Sequence, residues 1–346
     1  MSTAAPPPTP RQRLDALPSA PLGAWPTPLQ RLERFTAATG PAEGTEVWIK
    51  RDDVQGVALA GNKVRKFELV LGQALADGYD TLVTTGAAQS NSARAGAASA
   101  AAVGMGCVLL LSGHPPPQPT ANLLLDRLLG AEIRFAGDAS WSELNRGVDE
   151  LVAELARAGR KALAAPVGCS SPLGALGFAR AFLELDAQLT AAGVDPSAIV
   201  HTTTSGGTHA GLLVGRALTG RSVRLIGVDA AAMFPRAGDA LAGLAHDAAT
   251  LIGLDLDLRP DDIEVISTQL GARYGAHTRA ANDAISVLAR TEAIIADPIY
   301  SGKGLAGLIE LVSSGSLAGP VVFWHTGGYH ALFEPGHGTP VADGSR

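Results

Sequence analysis

The chain has 346 residues, of which 17% are charged and 46% hydrophobic, and its formal net charge at neutral pH is −6. This composition excludes a long disordered chain and provides enough apolar material for one large domain or two moderate ones. The negative charge argues against nucleic acid as the main partner, because proteins that bind nucleic acid usually carry a basic surface. No apolar run is long enough to cross a bilayer, so no membrane partner is expected.

The N-terminal segment, residues 1–24, begins with the proline-rich sequence MSTAAPPPTP. It has no apolar core of the kind that a secretory signal carries, so a disordered lead-in is predicted. The two cysteines, Cys107 and Cys169, are too few and too isolated to form a disulfide framework or a zinc site. These features favour a cytoplasmic protein with two buried, reduced thiols.

Strand-like and helix-like stretches alternate along most of the remaining chain. Strands are predicted at residues 46–52, 80–86, 106–113, 131–137, 161–166, 197–207, 223–230, 263–267 and 320–328. Helices are predicted at residues 63–78, 89–103, 122–129, 141–158, 173–191, 208–218, 279–291 and 305–313. Alternation of this kind predicts an α/β protein with parallel sheets that helices cover on both faces.

The number of strands exceeds one comfortable sheet, so two doubly wound open-sheet domains are expected. Ligands of such domains bind beyond the carboxyl ends of the strands, where the strand order reverses. The loops that follow strands are therefore the places to search for chemistry.

The loop TTTSGGTHAG, residues 202–211, ends a strand and opens a helix with hydroxyl and glycine residues. Free backbone N–H groups at a helix start, together with the positive end of the helix dipole, form an anion site. No lysine follows the glycines, and the loop does not contain GxGxxG, which argues against a nucleoside triphosphate or a dinucleotide. A single phosphate group fits this loop; a plain strand-to-helix turn is the alternative.

Three further loops contain polar or aromatic side chains. In TGAAQSNSAR, residues 85–94, Ser90 and Asn91 fall in the first turn of a helix, where capping alone also explains them. In ADPIYSGKG, residues 296–304, Tyr300 stands between proline and glycine, and half-buried packing is the alternative. In VVFWHTGGYHALF, residues 321–333, His325 and His330 have no carboxylate or thiol beside them, so no metal site is predicted.

The segment AGNKVRKFE, residues 60–68, places two lysines and an arginine at the start of a helix. A charged, solvated helix start would explain them. A lysine that acts together with a phosphate-binding turn, in the absence of a triphosphate motif, indicates a cofactor with one phosphate and an aldehyde. Pyridoxal 5′-phosphate (PLP) is such a cofactor, and a lysine amine holds it as a Schiff base.

The run RDD…AGNKVRKFE, followed in order by QSN, GGTHAG, DPIYSGKG and HTGG, resembles one family of fold-type-II PLP enzymes. That family joins 1-aminocyclopropane-1-carboxylate (ACC) deaminase and D-cysteine desulfhydrase. The likeness extends from residue 25 to about residue 333. It implies a tryptophan-synthase-β-like fold, a homodimer, a large PLP-binding domain at residues 25–76 and 178–346, and a small substrate-side domain at residues 77–177.

The resemblance also implies a set of site residues. It makes Lys63 the Schiff-base lysine and leaves Arg65 and Lys66 as positioning or surface charges. The implied catalytic residues are Lys63, Ser90, Tyr274 and Tyr300. The implied cofactor-binding residues are Lys63, Asn62, Asn91, Thr204, Ser205, Gly206, Gly207, Thr208, Ser301 and Thr326. The implied substrate-binding residues are Gln89, Ser90 and Asn91.

Two positions divide the family, and this chain has hydroxyl residues at both. The ring-opening deaminases carry Glu and Leu where this chain has Ser301 and Thr326, and the desulfhydrases carry hydroxyl residues there. A carboxylate keeps the pyridine nitrogen protonated and makes the ring a deep electron sink, which ring opening requires. A hydroxyl gives a shallower sink, which suffices when hydrosulfide leaves from Cβ. The resemblance therefore predicts β-elimination of D-cysteine to pyruvate, ammonia and hydrogen sulfide.

Three alternatives stay open at this stage. An L-cysteate sulfo-lyase would need an additional cation in the pocket, for which His114, His209 and His277 are candidates. An ACC deaminase is disfavoured by Ser301 and Thr326. A PLP-binding protein without turnover belongs to another class of function, and the presence of Lys63, Ser90 and both tyrosines argues against it.

Overall fold

The structure, a computed structural model, describes residues 6–59, 61–233 and 236–334. The strands, in chain order, are β1 Leu29–Arg31, β2 Glu46–Arg51, β3 Thr81–Ala87, β4 Gly106–Ser112, β5 Glu132–Phe135, β6 Ala162–Ala165, β7 Ala198–Thr203, β8 Arg224–Asp229, β9 Glu264–Ile266 and β10 Pro320–His325. The helices are α1 Pro10–Asp15, α2 Glu33–Thr39, α3 Lys63–Ala76, α4 Asn91–Ala102, α5 Ala121–Leu128, α6 Trp141–Arg157, α7 Pro172–Ala192, α8 Gly207–Thr219, α9 Ala237–Leu251, α10 Arg279–Glu292 and α11 Ser301–Ser313.

Two open sheets organise the chain. The larger sheet has the strand order β1-β2-β10-β7-β8-β9, and only its edge strand β1 pairs antiparallel. The smaller sheet has the order β5-β4-β3-β6 and is parallel throughout. The α/β class and the parallel, helix-covered sheets that the alternating pattern predicted are confirmed. Beside β7 the strand order of the larger sheet reverses, since β8 lies on one side of it and β10 on the other, which is where such sheets bind ligands.

Close helix packing positions the start of α3. A Cβ added at Gly177 of α7 would come within 2.0 Å of the main-chain oxygen of Arg65, so α7 contacts the backbone of α3 directly. A Cβ at Gly211 of α8 would come within 2.0 Å of the Ala175 oxygen in α7. Because glycine has no side chain, these three helices form one tightly packed layer. The segment that begins at Lys63 is thereby fixed relative to the glycine-rich loop before α8.

One face of the smaller sheet is covered by the apolar face of helix α6. Helix α6 begins with a capping box between Ser140 and Glu143. Its buried residues share one face at helical spacing and cover the sheet: Leu144, Val148, Leu151 and Leu155. The predicted domain boundary at residue 177 falls inside α7, and the division into two domains stays a prediction.

The N-terminal lead-in differs from the predicted disorder. Thr9 and Gln12 form a capping box, Pro10 occupies the first turn, and the helix that they start buries Leu14 completely. Arg180 of α7 donates to the main-chain oxygens of Leu14, at 2.7 Å, and Leu17. The segment from residue 6 is therefore ordered against α7, whereas residues 1–5 lie outside the described residues. Within the described part of the chain, no helix is both long and apolar enough to span a membrane.

Candidate active site

A cleft lies at the carboxyl ends of strands from both sheets. Its walls come from the loops after β3, β6, β7, β8 and β10 and from the start of α3. Of the predicted site residues, these line it: Asn62, Lys63, Ser90, Asn91, Thr204, Ser205, Gly206, Thr208, Tyr274, Tyr300 and Thr326. Gly207 is buried directly behind this wall. The structure thus brings together residues from distant parts of the sequence.

Lys63 opens helix α3 and points into the cleft. Its Nζ donates to Oδ1 of Asn62 at 3.0 Å, and Nδ2 of Asn62 donates to Oγ1 of Thr208 at 3.1 Å. The main-chain N–H of Asn62 donates to the main-chain oxygen of Thr326 at 3.1 Å. This hydrogen bond also connects the lysine segment to the residue that follows β10. Burial lowers the pKa of Lys63 to about 8 because the charged amine is poorly solvated. About a tenth of this amine is therefore neutral and nucleophilic at pH 7, far more than of an ordinary lysine.

Gly61 permits this close approach. It adopts a positive φ of 63°, and a Cβ built there would come within 2.4 Å of the main-chain oxygen of Thr326. A larger residue would be strained and would also push the lysine segment away from β10. The glycine of the AGNK segment therefore has a steric role in the cleft wall.

The glycine-rich loop has the geometry of an anion cradle. Gly206 is the N-cap of α8 in the left-handed region, at φ 84°, and no side chain caps the helix. The first backbone N–H groups of this thirteen-residue helix consequently face the cleft without an internal cap, apart from the Gly207 N–H, which donates to Oγ of Ser170 at 3.2 Å. Ser205 Oγ pairs with the same Ser170 hydroxyl at 2.8 Å. Such a cradle fits the phosphate group of PLP.

Lys66 lies behind this cradle, which corrects its interpretation as a positioning or surface charge. Its side chain is buried, and Nζ donates to the main-chain oxygen of Gly168 at 3.1 Å and to Oγ of Ser170 at 3.3 Å. A Cβ added at Gly207 would come within 2.8 Å of Nζ. Burial, and then the neighbouring charge of Lys63, lower the pKa of Lys66 well below its usual value. A bound phosphate would compensate this buried amine, so Lys66 adds to the fit of the cradle for PLP.

Arg65 also differs from a surface charge and has a structural role. It donates to both carboxylate oxygens of Asp52, each at 2.8 Å, and to Glu184 at 3.0 Å. Lys50 completes this buried group through a salt bridge to Glu184, and the guanidinium of Arg65 stacks on Trp25 at 3.9 Å. The three cations of the AGNKVRKFE segment therefore serve three purposes. Lys63 faces the cleft, Lys66 faces the anion cradle, and Arg65 fastens α3 to the core.

The QSN loop is only partly as predicted. Ser90 caps α4 by accepting from the Ala93 N–H at 3.1 Å, and both Ser90 and Asn91 line the cleft. The Gln89 side chain turns away, because its Nε2 donates to the Thr120 oxygen at 3.2 Å and its Oε1 accepts from the Asn122 N–H at 2.9 Å. The structure therefore does not bring the Gln89 side chain to the cleft. This corrects its place among the predicted substrate contacts.

The two predicted tyrosines meet at the mouth of the cleft. Their hydroxyl groups are hydrogen-bonded, and the ring centroids lie 6.4 Å apart. Burial, and next the adjacent Tyr274, raise the pKa of Tyr300 well above its usual value, so this hydroxyl keeps its proton at neutral pH. Trp141, at the start of α6, packs edge-on against Tyr274 at 6.3 Å and lines the same mouth. Trp141 was not among the predicted site residues, because its position depends on contact between α6 and a loop far along the chain.

The two residues that divide the family occupy different environments. Thr326 lines the cleft, as predicted for a residue that contacts the cofactor. Ser301 is completely buried and is not among the lining residues, which corrects its expected position in the wall. Its Oγ is hydrogen-bonded to Oδ2 of Asp297 at 2.5 Å and accepts from the Asp297 N–H at 2.8 Å. A serine here packs against a buried carboxylate behind the wall.

The three histidines considered as cations for the second anionic group of L-cysteate do not line the cleft. His114 is exposed beside Asp138, and His209 is buried with Nδ1 3.0 Å from Nε2 of His201. Neither of these histidines, nor His277, is among the lining residues. Within the described ranges, Lys63 is the one charged side chain that lines the cleft. The described residues also contain no cluster of three or more His, Cys, Asp or Glu side chains able to hold a metal ion.

A lysine of lowered pKa in the cleft, an anion cradle backed by a second buried lysine, and an α/β double sheet together fit a fold-type-II PLP enzyme. Comparison with known proteins agrees, because residues 20–327 match the family described as "Pyridoxal-phosphate dependent enzyme". The chain belongs to this family, is PLP-dependent, and is similar to lyases within it.

Comparison with individual relatives shows which members of the family this chain resembles. The chain is 36% identical to the 1-aminocyclopropane-1-carboxylate deaminase of Allorhizobium ampelinum over 331 residues, which cover 92% of this chain and 97% of the relative. The crystal structure of an ACC deaminase homologue superposes with a TM-score of 0.86 at 34% identity, and the match covers 94% of this chain and 96% of that one. O-ureido-L-serine synthase, with a TM-score of 0.64 at 20% identity and 96% of each chain covered, shares the fold alone. The resemblance read from the sequence motifs is confirmed.

Proposed function

We propose that this chain catalyses the PLP-dependent β-elimination of D-cysteine to pyruvate, ammonia and hydrogen sulfide. The observation that carries the proposal is the chemistry at the two dividing positions. Thr326 lines the cleft, and Ser301 is hydrogen-bonded to Asp297 behind it. No described lining residue is a carboxylate that could hold a proton on the pyridine nitrogen. A ring without that proton favours elimination of a good leaving group over opening of a cyclopropane.

We assign the cofactor to the residues that fit it. Lys63 would hold the aldehyde covalently, and the backbone from Thr204 to Thr208, with Lys66 behind it, would hold the phosphate. Asn62 and Asn91 would donate to cofactor oxygens. When bound, PLP supplies an electron-withdrawing ring that stabilises negative charge at the substrate Cα.

The remaining lining residues would handle the substrate. Ser90 and Asn91 stand at the N-terminus of α4, whose free N–H groups and dipole favour a substrate carboxylate there. Lys63, once released from the aldehyde, or a tyrosine would take the α-proton. Tyr300 keeps its proton at neutral pH and shares a hydrogen bond with Tyr274, so this pair can donate a proton to the departing sulfur.

ACC deamination is the second candidate, and one specific observation favours it. The relatives that match nearly the whole chain carry that name, at 36% identity. The L-cysteate alternative lost support, since its second anionic group would need a cation, and Lys63 is the one charged lining residue in the described part of the chain. A PLP-binding protein without turnover is also disfavoured, because a half-buried lysine, Ser90 and both tyrosines share one cleft.

We also propose that the enzyme works in the cytoplasm as a homodimer with a large and a small domain. Cys107 and Cys169 are both free and buried, which is compatible with a reducing compartment. The dimer and the domain division rest on the resemblance to the family. Light scattering of the purified protein measures the dimer directly, and a monomeric mass would contradict it.

The proposed activity is tested by product analysis. Purified, PLP-loaded protein is offered D-cysteine, L-cysteine, L-cysteate and ACC in parallel, and pyruvate, sulfide, sulfite and 2-oxobutyrate are measured. We expect pyruvate and sulfide in equal amounts from D-cysteine. Formation of 2-oxobutyrate from ACC as the dominant activity would contradict the argument from the hydroxyls, and sulfite from L-cysteate would contradict the argument from cleft charge.

A further inference from the structure

A buried asparagine outside the cleft is connected to the residues that line it. Asn122, near the start of α5, is completely buried and is not a lining residue. Its Oδ1 accepts from Nε of Arg94 at 2.7 Å. Its Nδ2 donates to the main-chain oxygen of Gln89 at 2.8 Å and to Oδ1 of Asn91 at 3.0 Å. The side chain therefore uses its acceptor and both of its donors.

These partners fix the orientation of the Asn122 amide by chemistry alone. A guanidinium can only donate, so the atom of Asn122 that faces Arg94 must be the oxygen. A main-chain carbonyl can only accept, so the atom that faces Gln89 must be the nitrogen. The second hydrogen of this nitrogen then points at the Asn91 side chain, which must offer its oxygen.

The Asn91 amide is thereby oriented as well. With Oδ1 turned toward Asn122, Nδ2 of Asn91 lies on the opposite side, against the turn that follows β10. A Cβ built at Gly328 of that turn would come within 3.1 Å of Nδ2. Asn91 and Gly328 both line the cleft, so the amide presents an N–H donor to the cleft wall.

We infer that Asn122 is a positioning residue that keeps the Asn91 amide in the donating orientation toward an anionic oxygen of PLP. The inference rests on the proposed role of Asn91 in holding the cofactor. If the amide were reversed, an oxygen would face the anionic cofactor oxygen, and attraction would be replaced by repulsion. The same Arg94 that fixes Asn122 also donates to the main-chain oxygens of Ala58 and Leu59, just before the Lys63 segment. Asn122 therefore belongs to a hydrogen-bonded chain that joins the QSN loop to the lysine loop.

The Asn122→Asp substitution tests the inference with almost no change in shape. A carboxylate still accepts from Arg94, but its second oxygen faces two acceptors, and the Asn91 amide must reverse to donate to it. We expect the dissociation constant of PLP, measured by titration of the apoprotein, to rise about tenfold or more. We also expect the pH midpoint of the visible absorbance of bound PLP to move upward, because a lost donor and an added negative charge both favour protonation.

Controls separate this effect from general damage. Asn282→Asp makes the same chemical change on α10, at a residue that does not line the cleft, and is expected to leave both values unchanged. Asn122→Ala frees the Asn91 amide without forcing it to reverse, so its changes should have the same direction and be smaller. It also serves as the test if the Asp variant does not fold.

Two outcomes overturn the inference. One is an unchanged PLP affinity and pH midpoint in folded Asn122→Asp. The other is an equal change in Asn282→Asp. Neither outcome depends on turnover of D-cysteine. An inactive wild-type protein whose absorbance still responds to Asn122→Asp would contradict the proposed reaction and leave the inference standing.

Discussion

Ser301 Oγ is hydrogen-bonded to Oδ2 of Asp297 at 2.5 Å, and the Asp297 N–H donates back to the same hydroxyl at 2.8 Å. Because the carboxylate takes the serine hydrogen, Ser301 is not free to donate it elsewhere. Asp297 also accepts from the main-chain N–H groups of Ile299, Tyr300 and Ser301 at 2.7–2.9 Å, which organises the start of α11. Ser301 therefore acts within the wall, and Thr326 is the dividing residue that lines the cleft.

This relationship predicts different effects at the two dividing positions. Thr326→Val should change the absorbance of bound PLP and lower the rate of elimination, because it removes the hydroxyl of a residue that lines the cleft. Ser301→Ala should mainly lower the free energy of unfolding, by about 1 kcal/mol for one lost hydrogen bond. Absorbance spectra and denaturant unfolding of both variants provide the comparison. A larger spectral change in Ser301→Ala than in Thr326→Val would show that Ser301 faces the cofactor after all.

The position of Lys66 predicts an effect on cofactor affinity. Lys66→Met should weaken PLP binding about 10- to 100-fold, as expected for loss of one charge-assisted hydrogen bond to phosphate. The apoprotein should not be less stable, because the substitution removes a buried amine with no carboxylate partner among its described hydrogen bonds. Titration of apoprotein with PLP measures the affinity. Lys161→Met, on the surface, is the control, and equal affinities of the two variants would refute the assignment of Lys66 to the phosphate.

The lowered pKa of Lys63 predicts how cofactor capture depends on pH. Only the neutral amine attacks the aldehyde, so capture of PLP by the apoprotein should accelerate as pH rises through about 8. An ordinary lysine amine, with a pKa near 10.4, would place this rise more than two units higher. Stopped-flow absorbance across pH 6–11 measures the rate, and a small primary amine with PLP in the same buffers corrects for titration of PLP itself. A midpoint near 10 would contradict the burial of Lys63, and Lys63→Ala should abolish the covalent spectrum.

The buried ion network predicts a large loss of stability at Arg65. Arg65→Ala should lower the free energy of unfolding by about 3–5 kcal/mol, because it leaves Asp52 buried without its main cationic partner. Arg11→Ala breaks an exposed pair with Asp15 and should cost at most about 1 kcal/mol. Urea unfolding of the two apoproteins supplies both values. Similar losses in both would mean that Arg65 is far more hydrated than its contacts indicate.

Much of the fold and part of the site could be predicted from the sequence, for identifiable reasons. Lys63 and the loop from Thr204 to Thr208 stand beside strand ends in short motifs, so local pattern located them. Helices α1, α2 and α9 and the edge strand β1 were missed, although the Thr9–Gln12 capping box was present as a signal for α1. No side chain caps the start of helix α9, and its buried face is rich in alanine, so its hydrophobic periodicity is weak.

The remaining errors concern side chains whose environment comes from distant residues. Lys66 meets Gly168, which is 102 positions away, and Asn122 meets Asn91 across 31 positions. Gln89 has sequence neighbours typical of a site, yet a tertiary contact turns its side chain to Asn122. Ser301 is different, because its partner Asp297 lies only four positions away. Periodicity and motif spacing carry no information about such partners. The chemistry of the cleft was therefore more predictable than the residues that hold it in place.

The central claim is that a cleft with Thr326 in its wall, and with no carboxylate among its described lining residues, directs the enzyme to elimination. Competition between equimolar D-cysteine and ACC in a single reaction with PLP-loaded protein tests it most directly, because both products come from the same active sites. We predict that pyruvate, accompanied by an equal amount of sulfide, exceeds 2-oxobutyrate by at least about tenfold, which corresponds to 1.4 kcal/mol between the two transition states. An excess of 2-oxobutyrate would show that ring opening proceeds without a carboxylate in the cleft wall and would contradict the account.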